Sequence, residues 1–121
     1  MYRDDATLLD IAKAARLIAA FLQSVERDAF FANVEKQSAV LHQITILGEA
    51  VKRLSQDFRD QHGQVPWKQV AGMRDRIIHG YDQVNLPRVW STATQEVPEL
   101  LVLIEPLLPV KPPDEDGSDV P

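Results

Sequence analysis

An all-α fold is what this chain predicts, on three observations. Apolar residues recur at spacings of three and four through several long stretches. No stretch alternates with the period of a strand or carries a hairpin turn signal, and helix-starting and helix-stopping residues fall between the periodic runs. The expected architecture is four main helices in an up-down bundle plus a short extra helix.

Length and composition bound the rest. The 121 residues suit one domain, 1–107, followed by a flexible tail, 108–121. From Pro109 the chain turns to Pro, Asp, Glu, Gly and Ser, which bury too little apolar surface to offset the entropy of ordering. No cysteine is present, so disulfides, thiolate nucleophiles and thiolate metal sites are excluded, and His42, His62 and His79 lack ligand-like spacing. No metal and no cofactor is expected. The sequence shows no long uncharged apolar run and no secretory leader, so the expectation is a cytoplasmic protein without a membrane partner. The net charge of -5 argues against nucleic acid. Without the tail, however, 12 basic residues face 14 acidic ones, and a nearly neutral body has room for a local basic cleft.

Asp4 or Asp5 is placed to cap a first helix whose stripe runs Leu8, Ile11, Ala12, Ala15, Ile18, Ala19, Leu22 and Val25. Leu9, Leu17 and Phe21 form a second flank, which suits either a wide core-facing surface or a neighbouring subunit. Arg27 to Phe31 makes a single turn before a second long helix, about Asn33 to Leu54, with Val40, Ile44, Leu47, Val51 and Leu54 as its seam. Gly48 within it predicts a close backbone approach. Glu49 is either a solvated acid or a counter-charge for Arg74. Ser55 caps a short segment that stops at Gly63, and Pro66 opens the third main helix. Asn85 caps the fourth, with Pro87 in its first turn and Leu86, Trp90, Ala93, Val97, Leu100, Ile104 and Leu107 as its stripe. Pro98 removes an N–H inside that helix and frees the carbonyl of Thr94, which predicts a kink. Trp67 and Trp90 read as core anchors.

The stretch with chemistry in it is Arg74-Asp75-Arg76-Ile77-Ile78-His79-Gly80-Tyr81. Trp67, Val70, Ala71, Arg74, Ile77 and Ile78 share one helical face, which puts Arg74 on the buried stripe. A guanidinium cannot shed its charge, so in an apolar seam it needs a carboxylate, a phosphate or a wet cleft. Gly80 reads as the left-handed residue past a helix end, so His79 is expected on the last helical turn. An imidazole with pKa near ~6.5 exchanges protons at neutral pH, whereas a histidine at a helix end also serves as a simple end charge.

The Arg-x4-His pair with Gly80-Tyr81 resembles the Arg-x4-His-x-Tyr motif of the HEPN superfamily, specifically its HepT-like ribonuclease toxins. Ile46-Leu47-Gly48-Glu49-Ala50, Trp67 through Met73, Val89-Trp90 and Pro98-Glu99-Leu100 resemble further parts of that family, over residues 5 to 107. The resemblance implies a homodimer whose two motif copies face one cleft and cut RNA without metal, DNA being refractory. It implies Arg74 and His79 as catalytic residues and Asp75 as a supporting one. It also implies a minimal nucleotidyltransferase antitoxin that silences the toxin by attaching AMP to Tyr81. Arg76, off the stripe, is a solvated cation or an RNA contact. Two other readings stay open: a non-catalytic nucleotide- or substrate-binding subunit of a nucleotidyltransferase, and a helical dimerisation module in which Arg74 merely neutralises Glu49.

Overall fold

A computed structural model describes residues 2–79 and 83–109, the side chains of Tyr2 and His79 excepted. Among these the chain is mostly helical, and no helix is long and apolar enough to cross a membrane.

Helix α1, Tyr2–Phe21, lies chiefly along α3, Val34–Lys52, and touches α8, Val97–Ile104, with its other edge. Leu8, Ile11, Ala12, Ala15 and Ile18 are buried as their spacing requires, while Ala14 joins them and Ala19 faces solvent. Because α1 already begins at Tyr2, Asp4 and Asp5 occupy its first turn and not the cap position. There their charge still suits the positive end of the helix dipole. The helix stops at Phe21, and a turn with Ser24 at φ 62 folds Leu22 and Val25 back against the core.

The single turn α2, Arg27–Phe31, contributes Phe30, wholly buried, with its ring centroid 5.4 Å from that of Trp90. The Gln37 amide donates to the carbonyls of Phe30 and Phe31 and so satisfies the end of that turn from α3. Helix α3 starts on the side chain of Asn33, which accepts from the Lys36 amide, and its seam of Val40, Ile44, Leu47 and Val51 is fully buried. Gly48 lets the backbone of α5 come close: a Cβ there would meet the Ala71 carbonyl oxygen at 3.3 Å.

Helix α4, Gln56–Gln61, is capped by Ser55, whose hydroxyl accepts from the Phe58 amide. The third main helix is broken at Gly72 into α5, Trp67–Ala71, and α6, Met73–Ile77. Trp67, 6 % exposed, donates its indole N–H to the His62 carbonyl and so anchors α5 in the core. Past α6 the chain forms a two-residue antiparallel pairing that no turn signal announced, β1, Ile78–His79, with β2, Gln83–Val84.

Asn85 caps α7, Leu86–Ser91, by accepting from the Arg88 amide. Where Pro98 predicts a kink there is a π-helical turn, Thr92–Glu96, between α7 and α8. The Val97 amide bonds back to the Thr92 carbonyl, and the Thr94 hydroxyl donates to that of Trp90. A missing donor at Pro98 is thus absorbed by a locally wider helix. A single 3-10 turn, Glu105–Leu107, follows, and Leu108 still packs against the core. Most of the segment read as a tail, residues 110–121, lies outside the described residues.

Candidate active site

The break at Gly72 decides which side chains α6 turns inward. Met73 and Ile77 are buried, continuing the line of Trp67 and Val70, while Arg74 and Asp75 are exposed. Arg74 is therefore not on the buried stripe, contrary to the periodic reading. Positions 73 and 74 both border the seam set by Val70 and Ile77, so spacing does not separate them. Desolvation does: the thioether goes in, and a guanidinium with no buried counter-charge stays in water.

Glu49 is no such counter-charge. It is exposed on α3 and pairs with Lys52 at 3.5 Å, one turn along its own helix, and it forms no ion pair with Arg74. Within one chain, Arg74 does not neutralise Glu49. An exposed guanidinium is instead free to meet an anion arriving from solvent.

The helix also ends earlier than Gly80 suggested. Ile78 is extended, with φ -105 and ψ 121, so His79 stands in β1, beyond the last helical turn. Ile78 pairs with Val84 and His79 with Gln83, and the Asn85 amide donates to the Ile77 carbonyl at 2.9 Å. Partners from the returning chain thus take over end groups of α6 that a left-handed glycine would otherwise satisfy. The β-branched pair Ile77-Ile78 favours this exit, since Ile77 is buried and Ile78 packs on the core. Gly80 and Tyr81 lie outside the described residues.

Arg76 is held differently from Arg74. Its Nη1 donates to the Gln69 carbonyl at 2.9 Å and its Nη2 to Glu96 Oε1 at 3.2 Å. It lines a cavity of about 420 Å³ together with Met73, Arg88, Glu96 and Glu99. Arg74 is not part of that cavity. Sequence reasoning missed Glu96, and nothing in the spacing of residues 76 and 96 signals their contact. Among the described residues, no three His, Asp or Glu side chains cluster as a metal site would require.

A mostly helical core carries an exposed arginine on one short helix and a histidine five positions on, in the strand that follows it. Residues 11–107 match the family model described as Ribonuclease HepT-like. A "Probable ribonuclease HepT" of Thermococcus cleftensis is 37% identical over 93 residues, covering 77% of this chain and 84% of that protein. "Putative RNase MJ1216" of Methanocaldococcus jannaschii is 35% identical over 114 residues, 94% of this chain and 91% of its own. "Putative RNase TTE0752" of Caldanaerobacter subterraneus is 46% identical over 70 residues, 58% of this chain and 62% of its own. No solved structure gives a significant match. The chain belongs to the ribonuclease HepT-like family.

Proposed function

We propose that the protein is an RNA endonuclease working through Arg74 and His79 without a metal. The observation that carries this reading is family membership over residues 11–107, a span that includes the whole Arg-x4-His pair. Ribonuclease names on relatives matching most of this chain support it, as does the exposure of Arg74.

The imidazole of His79 takes the proton from a ribose 2′-hydroxyl, and the 2′-oxygen attacks the adjacent phosphorus. The bond to the 5′-oxygen breaks, that oxygen takes the proton the imidazolium returns, and a 2′,3′-cyclic phosphate remains. Such proton transfers are worth about 10²–10⁴-fold each. Arg74 holds the phosphate and meets the charge that grows in the transition state. The nucleophile is already on the substrate, so no metal-generated hydroxide is needed and DNA is refractory. Two copies face their motifs across one cleft, with Asp75 beside the motif arginine in a supporting part. The protein is the toxin of a toxin–antitoxin pair, silenced when a minimal nucleotidyltransferase attaches AMP to Tyr81.

The test is incubation of purified, unmodified protein with total RNA in chelator, beside His79→Ala. Cleavage by the wild type alone, with cyclic-phosphate ends, is expected. Intact RNA with the wild type eliminates the nuclease and leaves a nucleotide- or substrate-binding subunit. Intact mass after co-expression with a nucleotidyltransferase tests the silencing: whole AMP increments, lost in Tyr81→Phe, are expected.

A further inference from the structure

Arg74 and Arg76 lie on opposite flanks of the line that buries α6. Met73 and Ile77, one turn apart, define that line nearly parallel to the helix axis. At about 100° per residue, Arg74 falls to one side of it and Arg76 to the other. A helix of five residues does not hold its own conformation, so its placement depends on tertiary contacts. Two apolar anchors on one line fix depth but leave the helix able to roll about that line. Arg76 adds a contact on one flank of that line.

Both terminal nitrogens of Arg76 are engaged, and on two different elements. One bonds the Gln69 carbonyl in the middle of α5, the other Glu96 on the π-helical turn twenty residues away in sequence. The ion-paired side chains are 31% and 39% exposed, more sheltered than Arg16–Glu105, Lys52–Glu49 or Arg53–Asp10, whose side chains are all more than half exposed. The guanidinium folds back over the helix break, where a Cβ at Gly72 would be in ordinary contact with Arg76 Nη1 at 3.6 Å. Glu96 ends the widened turn that precedes Pro98, so the same irregularity that accommodates the proline also sets where this carboxylate sits.

We propose that Glu96 is a positioning residue for the Arg74–His79 segment, acting through Arg76 to set the roll of α6. This rests on the nuclease reading above. A roll of roughly 10° displaces a side chain on the helix rim by about 1 Å, and a misplacement of that size costs on the order of 10²-fold in rate. A single solvent-accessible ion pair, by contrast, contributes little to global stability. Loss of Glu96 therefore separates rate from folding.

The experiment measures RNA cleavage kinetics, thermal melting and amide hydrogen exchange on full-length protein. Glu96→Ala is expected to lower kcat about 10- to 100-fold, with KM within about twofold and melting within about 3 °C. Glu96→Gln keeps an acceptor oxygen for Arg76 and recovers most of the rate. Arg76→Ala with Glu96→Ala falls no further than Arg76→Ala alone, because both act through one contact. Glu99→Gln, in the same cavity but not bonded to Arg76, leaves kcat unchanged. In Glu96→Ala the amides of residues 73–79 exchange faster while the rest of the core does not. A kcat for Glu96→Ala within twofold of wild type overturns the proposal, as does a loss matched by a general fall in stability. Should unmodified wild type leave RNA intact, the nuclease reading falls and exchange alone decides: faster exchange confined to residues 73–79 upholds the positioning contact, unchanged exchange overturns it.

Discussion

The Asp4 carboxylate accepts from both the amide and the hydroxyl of Ser55, at 2.9 and 2.7 Å, and so joins the first turn of α1 to the cap of α4. The Ser55 hydroxyl in turn accepts from the Phe58 amide. One carboxylate thus organises two helix starts.

That contact carries a pH signature. The Ser55 hydroxyl, and after it the Ser55 amide, hold the Asp4 carboxyl below its ordinary value of 3.8. A lowered folded-state pKa means stabilisation that is complete above the unfolded value and lost as pH falls through the folded one. Asp4→Ala should lower the melting temperature by about 4 °C at pH 7, and the gap to wild type should close as pH falls below the ordinary carboxyl value of 3.8 and through the lowered one. Parallel melting curves from pH 7 to pH 2 check this; a gap independent of pH would refute the assignment.

Arg74 should separate activity from stability. As an exposed residue, Arg74→Ala is expected to change stability by less than about 0.5 kcal/mol. The same variant should lose on the order of 10²–10³-fold in RNA cleavage, the usual loss when a donor to transition-state charge is removed. Denaturant unfolding beside a cleavage assay decides it. A large loss of stability would restore the buried arginine that the periodicity suggested.

Gly48 should tolerate one carbon and no more. An added Cβ meets the Ala71 carbonyl oxygen at 3.3 Å and that of Val70 at 3.6 Å, both backbone atoms. Gly48→Ala gains roughly 1 kcal/mol of helix propensity against this crowding, so its net effect should stay within about 1 kcal/mol. Gly48→Val adds bulk the interface cannot take and should cost about 2–3 kcal/mol. Urea midpoints of the two variants test the ordering.

Asn85 serves two helices at once, its side chain capping α7 and its amide closing the end of α6. Asn85→Ala removes only the first and should cost about 1 kcal/mol. Asn85→Pro removes the amide as well and should in addition raise exchange at residues 73–79. Equal exchange in the two variants would show that the Ile77 carbonyl does not depend on that donor.

Much of this was legible from residue order. Ser55 and Asn85 were recognisable as caps because a short acceptor side chain before an apolar run has few other uses. Gly48 signalled a close approach for the equally local reason that only a missing Cβ permits one. The motif pair was visible through the residues around it, from Ile46 to Leu100, which together resemble one family.

What residue order alone determined was the helical class, most of the α1 seam, the α3 seam and the caps at Ser55 and Asn85, all of which rest on interactions within a few residues of one another. The tertiary structure decided the rest: which of Met73 and Arg74 turns inward, that the chain leaves α6 as a strand before His79, and that Arg76 is bound to Glu96. The first and the last depend on a partner many positions away, α3 against α6 and the π turn against Arg76, and the strand exit depends on the pairing of His79 with Gln83. Periodicity records which side of a helix is apolar, but only the packed neighbours determine how far that side is turned.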